Sequence, residues 1–196
     1  MNQIEVLLSF TETLDKLRIP FFIGGSLASS LWGKERFTQD ADLILAIGPE
    51  DAERLIAEVQ RPWVLSVQSL RDAVESKEEF AGAQVLHEES LERIDLFVIG
   101  DELFGQSQLA RAKRFEVFPG HWLPFASAED TVISKLRWFD LGNRISDRQW
   151  TDIVMVLEIQ GPDLDLPYMR KWATVFGLLD LLEEALSQVT PDSPQN

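Results

Sequence analysis

FFIGGSLASSLWGKERFTQDADLILAI, residues 21–47, is the stretch whose reading decides the fold. It opens with a short apolar strand, residues 21–23, that runs into Gly24 and Gly25. Residues 26–32 are rich in serine, alanine and leucine and suit a helix packed closely on a sheet. After a polar gap, residues 42–47 form a second apolar strand, closed by Gly48 and Pro49. Asp40 and Asp42 stand at the mouth of that strand. A strand turns alternate side chains to opposite faces. The two aspartates therefore share a side if the strand runs through both, with Ala41 turned away. Like charges so close repel unless a cation or a basic group lies between them. Solvation at a strand entrance would also make the pair tolerable.

A third carboxylate narrows the choice. In LERIDLFVI, residues 91–99, Asp95 interrupts a continuous apolar run. Such a run is expected of a strand covered on both faces, so a charge in it lies near a sheet end or meets a partner. If this strand pairs beside residues 42–47, Asp95 joins Asp40 and Asp42. Three converging carboxylates suit a hard divalent ion such as Mg²⁺ or Mn²⁺, with phosphate oxygens completing the shell. The glycine pair would supply the other half. Gly24 and Gly25 allow a tight strand-to-helix turn and close approach of a ligand. Ser26 then opens a helix, where its hydroxyl and backbone N–H groups can hold phosphate oxygens. On its own, Gly-Gly-Ser is equally well explained as a structural turn. The spacing is neither that of a P-loop nor that of a dinucleotide-binding loop.

Composition sets the outer bounds. The chain has 196 residues, 45% of them apolar, enough for one ordinary domain or a domain with a helical appendage. There is no cysteine, hence no disulfide framework and no thiolate chemistry. No apolar run is long enough to span a bilayer, and no secretory signal opens the chain, so a cytoplasmic protein without membrane contact is expected. The 33 acidic and 18 basic side chains leave a formal charge of −15. That field repels polyanions at long range and argues against a long nucleic-acid footprint, while leaving room for a local phosphate pocket.

Along the rest of the chain, residues 4–17 carry Val6, Leu7, Phe10, Leu14 and Leu17 at nearly helical spacing, up to the break at Pro20. A helix over about 50–60, a strand at 63–67, and a short helix over 69–77 capped by Ser69 with Asp72 at its third position follow. Residues 83–100 read as two strands joined by a polar connection. Residues 101–110 suit a helix or turn, and 113–127 short strands. From Ser127 the character changes to helices over 128–140, 147–159 and one long helix over 167–188. The division expected is a mixed α/β core over 1–126, a helical region over 127–189 packed on it, and a disordered tail over 190–196.

The segments GGSLASSLWGKERFTQDADLIL and RIDLFV together resemble the nucleotidyltransferase superfamily of the DNA polymerase β type. The resemblance is closest to the AbiEii-like and minimal nucleotidyltransferase proteins and covers about residues 20–158. The interval between Ser26 and Asp40 is longer than in the shortest members and agrees better with the AbiEii-like branch. The resemblance implies an α+β fold, a mixed sheet flanked by helices with a C-terminal helical region. It implies that Asp40, Asp42 and Asp95 are catalytic and hold Mg²⁺ or Mn²⁺, and that Gly24, Gly25 and Ser26 hold phosphate. Arg36 and Lys135 resemble nucleotide-contacting positions of the same branch. The activity implied is transfer of a nucleoside monophosphate from a nucleoside triphosphate to a hydroxyl of a protein, a small molecule or a small RNA. The alternative is a non-catalytic protein of a toxin–antitoxin-like system that binds a nucleotide or a partner. A phosphohydrolase of another fold would want a nucleophilic aspartate after an early strand, and FFIGG has none.

Other residues have plainer readings. Lys135 and Arg36 each read equally well as solvated cations beside apolar surface. Arg148 lies four residues before Asp152, as in a helix-surface ion pair. Asp130, in a first helical turn after Ser127, offsets the helix charge. His87 and His121 lack a partner at metal-ligand spacing, and Glu92 would face away from the site. Trp138, Trp150 and Trp172 are expected in core or subunit packing, which leaves room for a homodimer, and Trp32 beneath the short helix.

Overall fold

The fold is α+β. The computed structural model describes residues 3–34, 40–76, 78, 80–100 and 102–189, with the side chain of Asp40 outside that set. Arg36 and the tail over 190–196 lie outside the described residues, so the expectations for them stay as expectations. Among the described residues, seven strands form one sheet: β1 (Phe21–Ile23), β2 (Asp40–Ala46), β3 (Trp63–Leu65), β4 (Gly82–His87), β5 (Arg93–Ile99), β6 (Lys113–Phe118) and β7 (His121–Phe125). Their order is β3-β4-β5-β2-β1-β7-β6. β2 pairs parallel with β5 and antiparallel with β1, and β1 pairs parallel with β7, so the sheet is mixed. The ambiguous stretch 113–125 is the antiparallel hairpin β6–β7, with a register irregularity between Glu116 and Phe118.

The chain divides into two compact units, Met1–Leu27 with Phe37–Ala126, and Ala28–Arg36 with Ser127–Asn196. In the first unit, one face of the sheet is dry. Ala41, Leu43 and Leu45 on β2 lie beside Ile94 and Leu96 on β5, all fully or almost fully buried. The helices α1 (Gln3–Leu17), α3 (Pro49–Glu58) and α4 (Val67–Glu75) complete this core with Val6, Leu7, Phe10, Leu14, Leu55 and Leu70. Phe10 meets the edge of Trp63 at 5.1 Å, and Trp63 meets the His87 ring at 4.8 Å. His87 is therefore a core residue, tied locally to Ser90 Oγ at 3.0 Å.

The helix expected at 69–77 begins earlier. Leu65 ends β3, the Ser66 N–H goes to the Gln84 carbonyl, and α4 starts at Val67 with Ser66 at its N-cap. Ser69 is thus inside the helix rather than its cap, and Asp72 accepts from Gln68 one turn back at 2.8 Å. The earlier start follows from the strand pairing, which decides where the chain becomes available for a helix.

The second unit contains α6 (Ala128–Leu141), α7 (Asp147–Gln160), α8 (Leu166–Val175) and α9 (Leu179–Gln188). The single long helix expected over 167–188 is two. Gly177 takes a φ of +70°, its N–H reaches the Thr174 carbonyl, and the Leu178 N–H reaches Ala173. These two bonds form a Schellman closure, which glycine permits without Cβ strain. The apolar spacing runs on across the break because both helices bury the same kind of face, with Met169, Trp172, Leu182 and Ala185 all in the core.

Candidate active site

The site is built from the face of the sheet opposite that dry core. β2 begins at Asp40, two residues before the expected strand, so that it runs through both Asp40 and Asp42, and β5 lies directly beside it. In this parallel pair the register sets Asp42 opposite Asp95 and Asp40 opposite Arg93. Cross-strand partners point to the same face. Asp42 and Asp95 therefore share a face, the one they also share with Ile44 and Phe97. Both are half-buried, and the Asp95 side chain is 20% exposed.

The glycine pair fixes what lies beside Asp42. The Gly24 N–H continues the strand ladder to the Asp42 carbonyl at 3.0 Å. Gly25 then turns the chain into α2 (Gly25–Trp32) with a φ of +53°. A Cβ at Gly25 would fall 1.7 Å from Asp42 Oδ2, so both the backbone conformation and the space demand glycine. The next amide, Ser26 N–H, donates to the same Oδ2 over a long 3.4 Å. The Asp42 carboxylate thus sits at the positive end of a helix, an arrangement that favours negative charge.

Asp95 has partners of its own. Gln84, opposite it on β4, donates from Nε2 to Asp95 Oδ1 at 2.9 Å. Arg93 Nε stands 3.5 Å from the same oxygen. Sequence reading missed both. The signals were present: Gln84 is a polar residue amid the apolar residues Ala83, Val85 and Leu86, and Arg93 precedes Asp95 by two and so shares its face. What could not be read was the pairing of β4 with β5.

Among the described residues, no group of three His, Cys, Asp or Glu side chains is placed to hold a metal ion. The described donors, two carboxylates from adjacent strands, match a hard divalent cation in kind.

Lys135 belongs to the second unit. It is 7% exposed and donates to Asp152 Oδ2 at 2.9 Å, on α7. Asp152, expected to pair with Arg148 on its own helix, is thus engaged across two helices. Asp130 does open α6 as expected, with its N–H on the Ser127 hydroxyl at 3.1 Å. It is also completely buried, taking the Ser127 hydroxyl at 2.8 Å and the Tyr168 hydroxyl at 2.6 Å. Of the tryptophans, Trp172 is core, whereas Trp138 and Trp122 are exposed.

No protein-family model matches the sequence, and no curated protein matches it by sequence similarity. Solved structures do match in fold. The antibiotic-resistance factor ANT(2")-Ia in complex with adenylyl-2"-tobramycin is similar with a TM-score of 0.59 and 16% identity, over 90% of this chain and 99% of that one. An antigenic nucleotidyltransferase-like protein from Paracoccidioides brasiliensis is similar at 0.54 and 17% identity, over 93% and 91% of the two chains. The lincomycin-bound lincosamide antibiotic adenylyltransferase LnuA is similar at 0.50 and 14% identity, over 78% and 95%. The fold is thus shared with solved structures that include a nucleotidyltransferase-like protein and an adenylyltransferase. No helix among the described residues is long and apolar enough to cross a membrane.

Proposed function

We propose that this chain is a divalent-metal-dependent nucleotidyltransferase that moves a nucleoside monophosphate from a nucleoside triphosphate to a hydroxyl of a small acceptor molecule. The observation that carries the reading is the register of Asp42 against Asp95 beside the Gly25–Ser26 turn. Two strands that the sequence separates by half a hundred positions bring like charges together on one face. Nothing in the packing of the core calls for that pairing, because Leu43 and Leu96 on the other face do the apolar work.

Asp42 and Asp95, with Asp40 from the start of β2, would hold Mg²⁺ or Mn²⁺. When bound, the ion supplies charge neutralisation at the phosphates and lowers the pKa of the acceptor hydroxyl. The α2 N-terminus would bind phosphate oxygens through the Ser26 N–H, in competition with Asp42 Oδ2. Gly25 lets a phosphate approach the backbone. In the reaction the acceptor oxygen bonds to the α-phosphorus in line, the α–β bridging bond breaks, and pyrophosphate leaves. Arg36 and Lys135 are proposed as further phosphate contacts on the resemblance alone.

A small acceptor is favoured over an RNA by the −15 formal charge, which opposes a polyanion. The similar structure of ANT(2")-Ia, in complex with adenylyl-2"-tobramycin, holds a nucleotidylated small molecule, which supports a small acceptor here. The Ser26–Asp40 interval favours the AbiEii-like branch, with a toxin–antitoxin role as the second reading.

The test is nucleotide binding by calorimetry with and without Mg²⁺, followed by pyrophosphate release in a screen of hydroxylated acceptors and cell extract. Binding should require Mg²⁺ and be abolished in Asp42→Asn. Equal affinity in that variant would overturn the assignment. Metal-dependent binding without pyrophosphate release from any acceptor would move the chain to the non-catalytic reading.

A further inference from the structure

Asp95 is held by two neighbours that act on one oxygen. The amide of Gln84 donates to Oδ1 at 2.9 Å, and the guanidinium of Arg93 stands 3.5 Å from the same atom. Arg93 is also the cross-strand partner of Asp40, so its position in the register borders two of the three acidic positions. Gln84 and Arg93 are both exposed, and filling the core requires neither of them.

We infer that Gln84 and Arg93 are positioning residues that set the divalent-cation affinity of the carboxylate cluster in opposite directions, an inference that rests on the metal-dependent reading above. The amide is neutral. It occupies a lone-pair direction of Oδ1 and restrains the carboxylate's rotation without cancelling its charge. Partners of this kind orient ligating carboxylates and are costly to lose. Arg93 acts otherwise. A separation of 3.5 Å exceeds a good N–H···O bond, so its contribution to Asp95 is charge more than direction. A positive charge beside two acidic positions eases their repulsion while no metal is bound. By the same Coulomb term it weakens the field that an entering dication meets. Gln84 thus prepares the site, and Arg93 holds its affinity down.

The experiment titrates Mn²⁺ alone into the full chain and reads free Mn²⁺ by electron paramagnetic resonance, without nucleotide or turnover. Thermal melts in chelator report folding. Gln84→Met should weaken Mn²⁺ binding by about tenfold or more. Arg93→Gln should tighten it about two- to fivefold, the range of a partly exposed ion pair. Arg93→Lys should keep the wild-type constant. A merely structural role would move both variants the same way, together with the melting temperature. If Asp42→Asn abolishes binding while Arg93→Gln binds no tighter than wild type, the inference falls and the function stands. If Asp42→Asn binds Mn²⁺ as wild type does, or wild type binds none, both fall.

Discussion

Asp42 on β2 and Asp95 on β5 are direct partners in a parallel pair, two carboxylates abreast on one face of two strands whose other face buries Ala41, Leu43, Leu45, Ile94 and Leu96. Like charges directly opposite each other destabilise a sheet. Gln84 and Arg93 on one side, and the Ser26 N–H on the other, offset part of that cost.

The first prediction is a conflict between stability and function. Asp42→Asn should raise the stability of the protein in chelator by roughly 0.5–1 kcal/mol, because it removes one of two opposed like charges. Urea denaturation measures this. Addition of Mg²⁺ and a nucleoside triphosphate should then stabilise wild type and leave the variant unmoved. A variant less stable than wild type in chelator would show that the helix-end contact at Asp42 outweighs the repulsion.

A comparison of the two glycines separates space from conformation. Gly25→Ala combines a left-handed φ of +53° with a Cβ 1.7 Å from Asp42 Oδ2. It should cost about 1–3 kcal/mol and displace the Asp42 carboxylate, which reduces nucleotide affinity. Gly24→Ala meets the end of the Ile44 side chain at 2.5 Å, an atom that can swing away. Its expected cost is about 1 kcal/mol, with nucleotide affinity retained. Equal loss of affinity in both variants would refute the role of the turn.

Lys135 and Asp152 offer a test of packing against ligand contact. Their side chains are 9% and 10% exposed. Lys135→Met removes one partner of a buried ion pair and should destabilise the protein by about 3–5 kcal/mol, while the double variant Lys135→Met with Asp152→Leu should recover much of that. Triphosphate affinity measured in the double variant then decides the proposed phosphate contact. An unchanged value makes Lys135 a structural residue.

Two exposed pairs predict the acid limb of stability. The bidentate guanidinium of Arg71 holds the Glu53 carboxyl below its ordinary value of 4.5, through the side-chain hydrogen bond first and charge second. Arg170 does the same for Glu183 on α9. A depressed carboxyl pKa contributes stability that is present above the unfolded value, near 4.5, and is lost as the pH falls through the folded value. In thermal melts, Arg71→Gln should therefore be less stable than wild type at neutral pH, and the gap should shrink as the pH falls below 4.5 and through the lowered folded value. Added salt should narrow the neutral gap as well. A gap independent of pH would show that packing, not charge, makes the pair matter.

Local chemistry determined much of this protein in advance. The alternation of apolar residues, the glycine pair before a small-residue helix, and the two aspartates one residue apart were enough to read β1, α2 and β2 in order, and Asp95 marked β5 as their companion. The Ser66 start was not read, because it depends on the bond of the Ser66 N–H to Gln84 on a distant strand, and the Gly177 stop, although local, was masked by apolar spacing that runs on across it. Only the tertiary structure decided that Asp42 stands abreast of Asp95, that Gln84 and Arg93 share one oxygen of Asp95, and that Lys135 pairs with Asp152. The physical reason is range. A residue's own periodicity tells which face it takes, whereas register and cross-helix partners arise from pairings between distant segments, which the sheet and the core select together.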